Sequence, residues 1–221
     1  MHRSLLWSGT GDFKVSSDYR APSWSWASVD GPVTYPDFRS SDLVWHAAAD
    51  VEEAATTPLT KDVVTGQLIG GHLRLSGTLI KLNIRSLQER SGIGRTLSFK
   101  ARMEAPLGNF RPDAIEIAFY AGEHIPADLK ISPSADELKQ ENEIFFMPIL
   151  YCRGDGESDS REVLGLALSP EDGDVGTYRK VGVITAFKYS VVKALVNMCR
   201  PRDPRYYESF DGNITYIIKI V

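Results

Sequence analysis

The sequence predicts a mainly β protein: a single domain over residues 1–221, an antiparallel β-barrel or barrel-like sandwich of roughly eight to ten strands with one or two short helices. Three observations predict it. Short apolar or alternating runs recur along the chain, and polar turns rich in Gly, Asp and Ser, such as "RGDGESDS" and "SPEDGDVG", separate them. No internal repeat and no biased linker divides the chain. Closing so many ladders into a barrel removes exposed edges, and a barrel of about eight strands can hold a small ligand.

Taken in order, "SWSWASV" lies between Pro22 and the turn signal Asp30-Gly31-Pro32 and reads as a strand. Residues two apart on a strand share a face, so Trp24 and Trp26 are expected to look the same way. In "LVWHAAADVEEA", Leu43, Val44 and Trp45 favour a strand over the helix that the alanines and glutamates would allow. "TTPLTKDVVTGQLIGG" reads as a loop ending in a Gly-Gly turn. "HLRLSGTLIKLNI" then sets Leu73, Leu75 and Leu79 on one face and His72, Arg74, Ser76 and Thr78 on the other, a half-buried strand.

Further strands are predicted at "AIEIAFYA", "EIFFMPILYC", "EVLGLALSP", "YRKVGVITAF" and "NITYIIKIV". Strand parity puts Tyr120 with Ala118 and Glu116, and Tyr151 with Phe145, Met147 and Ile149. Two segments read as helices. "SADELKQEN" opens on a capping box, Ser134 to Glu137, and "SVVKALVNMC" ends before Pro201.

Composition narrows the function classes. The chain is 43% hydrophobic and 24% charged with a net charge of −4, so no basic field invites nucleic acid. Two cysteines, Cys152 and Cys199, are too few for a disulfide framework. No apolar run reaches the roughly 18 residues of a membrane span, and "MHRSLLWSGTGDF" lacks a secretory core. The expected location is cytoplasmic, with no membrane or nucleic-acid partner; the sequence leaves the oligomeric state open.

The histidines, His2, His46, His72 and His124, show no ligand spacing, so no metal site is predicted. There is no Gly-x-Ser-x-Gly elbow. "SGTGDF" and "RSGIGRT" lack the strand–loop–helix context of phosphate loops, so no cofactor is expected. Asp50, Glu52 and Glu53 offer paired carboxylates, but such residues are more often solvated. Arg200, Arg202 and Arg205 beside two tyrosines read first as a salt-bridged surface loop.

What remains is an aromatic set on or beside strands: Trp7, Trp24, Trp26, Trp45, Tyr120, Tyr151 and Tyr178, with Met147. Such side chains either fill a core or line an apolar pocket. In the pocket reading, Trp24, Trp26, Trp45, Met147 and Tyr178 bind substrate. His46 would be the acid or base, with Tyr120 and Tyr151 as hydrogen-bond donors.

The wording of several blocks is informative. "YRAPSWSWASVDGPV", "GHLRLSGTLIKL", "EVLGLALSPEDGDVGTYRKVGVI" and "ITYIIKIV" together resemble the region that follows the conserved domain of fungal heterokaryon-incompatibility (HET) proteins, from about Leu5 to Val221. The block Ala21 to Ser28 is its most specific part. No residue matches the HET domain itself, so the resemblance implies a fungal, stand-alone β-rich module and not its cell-death activity. More weakly, the chain resembles the fungal hetero-Diels–Alderases of tropolone-sesquiterpenoid pathways. That implies a cofactor-independent pericyclase binding an apolar polyene or quinone-methide substrate, since folding such a substrate into a reactive shape needs little covalent chemistry. Two alternatives stand beside it: a non-enzymatic interaction module and a small-molecule carrier. A pericyclase or carrier needs a deep aromatic pocket. An interaction module needs a filled interior and an exposed apolar patch.

Overall fold

Where it is described, the chain is built mainly of strands, many of them on its apolar runs. The computed structural model describes residues 1–9, 14–15, 18–36, 38, 44–60, 67–83, 88–89, 97–100, 116–120, 143–153, 162–186, 192, 196 and 199–221. In chain order the strands are β1 (Ser8–Gly9), β2 (Lys14–Val15), β3 (Val29–Asp30), β4 (Val33–Thr34), β5 (Val44–Ala47), β6 (Ala49–Pro58), β7 (Leu68–Gly77) and β8 (Ile80–Asn83). They continue with β9 (Gln88–Glu89), β10 (Leu97–Lys100), β11 (Glu116–Tyr120), β12 (Glu143–Arg153), β13 (Val163–Pro170), β14 (Thr177–Ala186), β15 (Ser209–Phe210) and β16 (Tyr216–Ile220). Short 3-10 turns lie at His2–Leu5, Trp26–Ser28 and Pro204–Tyr206. The structure is mainly β.

β1 pairs with β4 and β2 with β3 as two small ribbons; the strands from β5 onward form one twelve-stranded sheet. Its centre is the antiparallel run β12–β13–β14. The far edge of β14 is shared: its end pairs with β11, which leads to β10 and β9, and its start pairs in parallel with β16. β16 continues to β7, and β7 to β6. The far edge of β12 is shared too, by β8 along Glu143 to Phe146 and by β5 along Leu150 to Arg153. β7 runs on into β8, so the stretch 68–83 meets β16 with its first half and β12 with its second.

Leu73, Leu75 and Leu79 are fully buried in one core, as their alternation predicts. Facing strands add Phe145, Met147 and Ile149, then Leu164, Leu166 and Leu168, then Ile218 and Ile220. Two bulges tune which side chains reach it. In β14, Ala167 opposes Gly182 while Leu168 opposes Lys180, so Val181 is the extra residue. That lets Tyr178 and Val183, five positions apart, enter the same core. In β12, Pro148 opposes Gly165 and Leu150 opposes Leu164, so Ile149 is extra. Proline cannot donate to the ladder, and it sits where the ladder is irregular.

This second bulge corrects the parity reading. Leu150 turns inward with Leu164, and Tyr151 comes out half-buried opposite His46, away from Phe145 and Met147. Gly165 has a packing reason: a Cβ there would collide with the Met147 carbonyl and the Phe146 ring. Gly70 and Gly71 lie inside β7 and not in a turn, because β6 and β7 extend their ladder to Pro58 and Leu68.

"SWSWASV" is another correction. Residues 22–28 form a turn and a 3-10 helix rather than a strand. The Ser25 N–H donates to the Pro22 carbonyl at 2.9 Å, and Ser25 Oγ accepts from the Ala27 N–H at 3.3 Å. Ser28 Oγ donates to the Ser25 carbonyl at 2.7 Å. Serine hydroxyls offering the backbone local partners outcompete strand pairing here. The predicted helix "SADELKQEN" lies outside the described residues; within "SVVKALVNMC", Val192 and Val196 are helical.

Candidate functional site

The chemistry-bearing side chains fall into three places. The first is the outer face of β5 and β12. Antiparallel pairing sets His46 opposite Tyr151 and Trp45 opposite Cys152. The His46 and Tyr151 rings stack, with centroids 5.2 Å apart and planes 24° apart. Trp45 packs edge-on against Phe38 at 5.4 Å and touches the core. Thus two of the three predicted catalytic residues come together, both half-buried. The third, Tyr120, ends β11 opposite Val183 on β14.

The second place is the core itself. Met147 and Tyr178 are 0% exposed. The Tyr178 hydroxyl donates to the Tyr206 carbonyl at 2.7 Å, and its ring meets Phe145 at 5.2 Å. These two predicted substrate contacts are enclosed by protein on every side.

The third place is the segment 18–28, which crosses the end of β7, β14 and β16. Ser23 anchors it. Its N–H donates to the Val221 carbonyl at 3.0 Å, its hydroxyl donates to the same oxygen, and that hydroxyl accepts the Lys180 N–H at 2.9 Å. Trp7 reaches over, its indole N–H donating to the Trp24 carbonyl at 2.9 Å. Trp24 is half-buried against the core, with its indole Nε1 buried and without a hydrogen-bond partner. Trp26 points the other way and is 59% exposed. Tyr19 and Tyr35 are exposed nearby in sequence, and an Arg20–Asp30 pair at 2.6 Å folds the segment back on itself. A shallow depression of about 510 Å³ lies beside it, lined by Asp18, Tyr19, Arg20 and Gln67.

Lys180 is the residue that sequence reasoning missed. It is buried on β14, its ammonium nitrogen 2.8 Å from the Trp7 carbonyl and 3.4 Å from the centre of the Trp7 ring. Desolvating an ammonium costs several kcal/mol, while a buried cation–π contact returns about 2. Desolvation therefore wins, and burial holds the Lys180 amine well below the usual lysine range. Its shared parity with Tyr178 was the available signal.

Among the described residues, several other charged groups pair locally. A bulge at Glu52 puts Glu52 and Glu53 together on the outer face of β6. Glu52 accepts from Ser76 at 2.6 Å; Glu53 lies 3.2 Å from His72 and 3.7 Å from Arg74, which also donates to Glu208 at 2.8 Å. Arg205 pairs with Asp203 at 2.9 Å and donates to the Tyr206 hydroxyl at 2.7 Å, to which Lys81 also donates at 3.3 Å. Arg200 donates to the Val196 and Asn213 carbonyls. Cys152 and Cys199 are free thiols, and burial pushes the Cys199 thiol up. Among the described residues no three His, Cys, Asp or Glu side chains gather as metal ligands, and no helix is long and apolar enough to cross a membrane.

No family model, curated protein or solved structure matches the chain.

Proposed function

We propose that the chain is a non-enzymatic interaction module: a barrel filled by side chains, presenting Trp26 to a protein partner. The filled interior carries this reading. Positions that would line a ligand cavity, Leu75, Met147, Leu166 and Tyr178 among them, are packed against one another with no exposed surface. The barrel is supported by the two shared edges, because the stretch 68–83 pairs with β16 at one end and with β12 at the other. Trp26 is exposed on a segment that hydrogen bonds tie to the sheet, so it is presented without a large ordering cost. Exposed, pre-ordered tryptophans are typical anchors of protein interfaces. The resemblance to the region that follows the HET domain fits a module that binds another protein. Two free thiols fit a cytoplasmic setting.

The test is quantitative co-purification from the native cell with tagged wild-type chain and Trp26→Ala. Loss of a hot-spot tryptophan costs about 2 kcal/mol, so a partner should be depleted roughly 30-fold in the variant. Equal recovery would reject the reading.

A second reading rests on the His46–Tyr151 stack. An imidazole and a phenol side by side can polarise a carbonyl or quinone-methide oxygen, which suits a cofactor-independent hetero-Diels–Alderase acting on an apolar polyene at this outer face. Comparing metabolites after gene deletion tests it: loss of one cyclised product, with a linear relative accumulating, would favour this reading over the first.

A further inference from the structure

We propose that β6 is an open sheet edge that takes a basic, extended segment of a protein partner as an added strand. β6 (Ala49–Pro58) is ten residues long, and among the described residues it pairs with β7 alone. The hydrogen bonds fix which of its backbone groups face outward. In antiparallel strands a residue's N–H and C=O point to the same side, and bonded and non-bonded pairs alternate. The Lys219 N–H donates to the Gly176 carbonyl at 2.9 Å, away from β7. Its partner Arg74 therefore turns its backbone groups toward Glu53 on β6. By alternation, Ala54 and Thr56 turn theirs away from β7. The same parity points the Ala49 carbonyl outward, and there His2 Nε2 donates to it at 2.8 Å. Among the described residues no hydrogen bond reaches the outward groups of Ala54 or Thr56.

Proteins usually guard such an edge with lysine, proline or bulges, or keep it short. β6 is irregular only at Glu52 and at Pro58, so residues 53–57 form a regular run without lysine or proline. Ala54, Thr56 and Thr57 are exposed and too small to shield the backbone, and threonine favours extended chain. Main-chain bonds to an added strand supply affinity, while flanking side chains select it. Here the flank is acidic. Asp50, Glu52 and Glu53 stand on the outer face, and the cations facing them are His72 and Arg74, of which Arg74 is shared with Glu208. Opposite charges across a strand pair stabilise it and like charges oppose it. A basic segment is therefore the fitting occupant. A second copy would bring the same carboxylates and a net charge of −4. That a partner exists rests on the interaction reading; the edge itself does not use Trp26.

The probe is a displayed library of random linear peptides, panned on the wild-type chain. Selected peptides should carry lysine or arginine on alternate residues. When one binds, the Ala54 and Thr56 amides, open to exchange in the free chain, should become protected. Proline is tolerated on an edge where the N–H faces solvent. Ala54→Pro and Thr56→Pro should therefore unfold in urea like wild type and bind the peptides about tenfold more weakly. Asp50→Lys leaves the backbone intact and keeps the test available if a proline variant does not fold; it should weaken binding about threefold. Failure to select any peptide, peptides without basic residues, undiminished binding in the variants, or unprotected Ala54 and Thr56 amides would overturn the proposal. So would a dimer of the chain that Ala54→Pro dissociates, because the edge would then belong to a second copy. Trp26→Ala should bind the peptides as wild type does, so failure of the edge and failure of the Trp26 anchor are separately visible.

Discussion

Trp24 and Trp26 differ by two positions and have opposite fates, one tucked against the core and one 59% exposed. Alternation could not reveal this, because the deciding interactions are serine hydroxyls bonding to nearby backbone. Lys180 was easily passed over, since a lone lysine in "YRKVGV" reads as solvated and only its shared parity with Tyr178 points inward. Its amine is depressed in the fold by burial. Above the unfolded lysine range both states are neutral and stability is greatest; as pH falls, the unfolded chain takes up the proton first and stability declines until the folded amine titrates. Lys180→Met should therefore be more stable than wild type near neutral pH, and the gap should close on raising the pH to about 10.5. Urea unfolding across pH measures this. Met147→Ala is the matching test at a core position: it should lower stability by about 2–5 kcal/mol, as emptied core sites do.

At the scale of elements, strands were the legible part. The apolar runs at 72–84, 143–152, 162–170, 178–187 and 213–221 each contain a strand. Faces were legible only where a strand is regular, as for Leu73 and Leu75. The bulges at Ile149 and Val181 reverse parity midway, which is why Tyr151 emerges beside His46 instead of beside Met147. Nothing local in "VGV" announces the second bulge. Pro148 does mark the first, through the ladder bond it cannot make. The placement of segment 18–28 was unreadable for another reason: its anchors, Lys180 and Val221, are distant in sequence from Ser23. Ser23→Ala removes the hydroxyl from both contacts and leaves the Lys180 N–H without its acceptor. It should cost about 1–3 kcal/mol in urea unfolding, with the loss of exchange protection concentrated at residues 23–28. Gly165→Ala should be comparably harmful, by about 1–3 kcal/mol, because its methyl group has no free space to occupy.

At the scale of the whole molecule, the buried apolar side chains gather into one large core. The sheet pairs β7 with β16, β16 with β14, β14 with β13, β13 with β12 and β12 with β8, and it carries a core packed with leucine, isoleucine and aromatic side chains. Such an interior stabilises the fold, and on the proposed interaction reading recognition falls to the outside, where Trp26 is exposed. The most direct measurement is photo-crosslinking in the native cell, with a benzophenone amino acid placed at position 26 or, as a control, at exposed Val175. The account predicts one discrete adduct of a second protein at position 26 and none at position 175. No adduct at 26, or the same adducts at both positions, would contradict it.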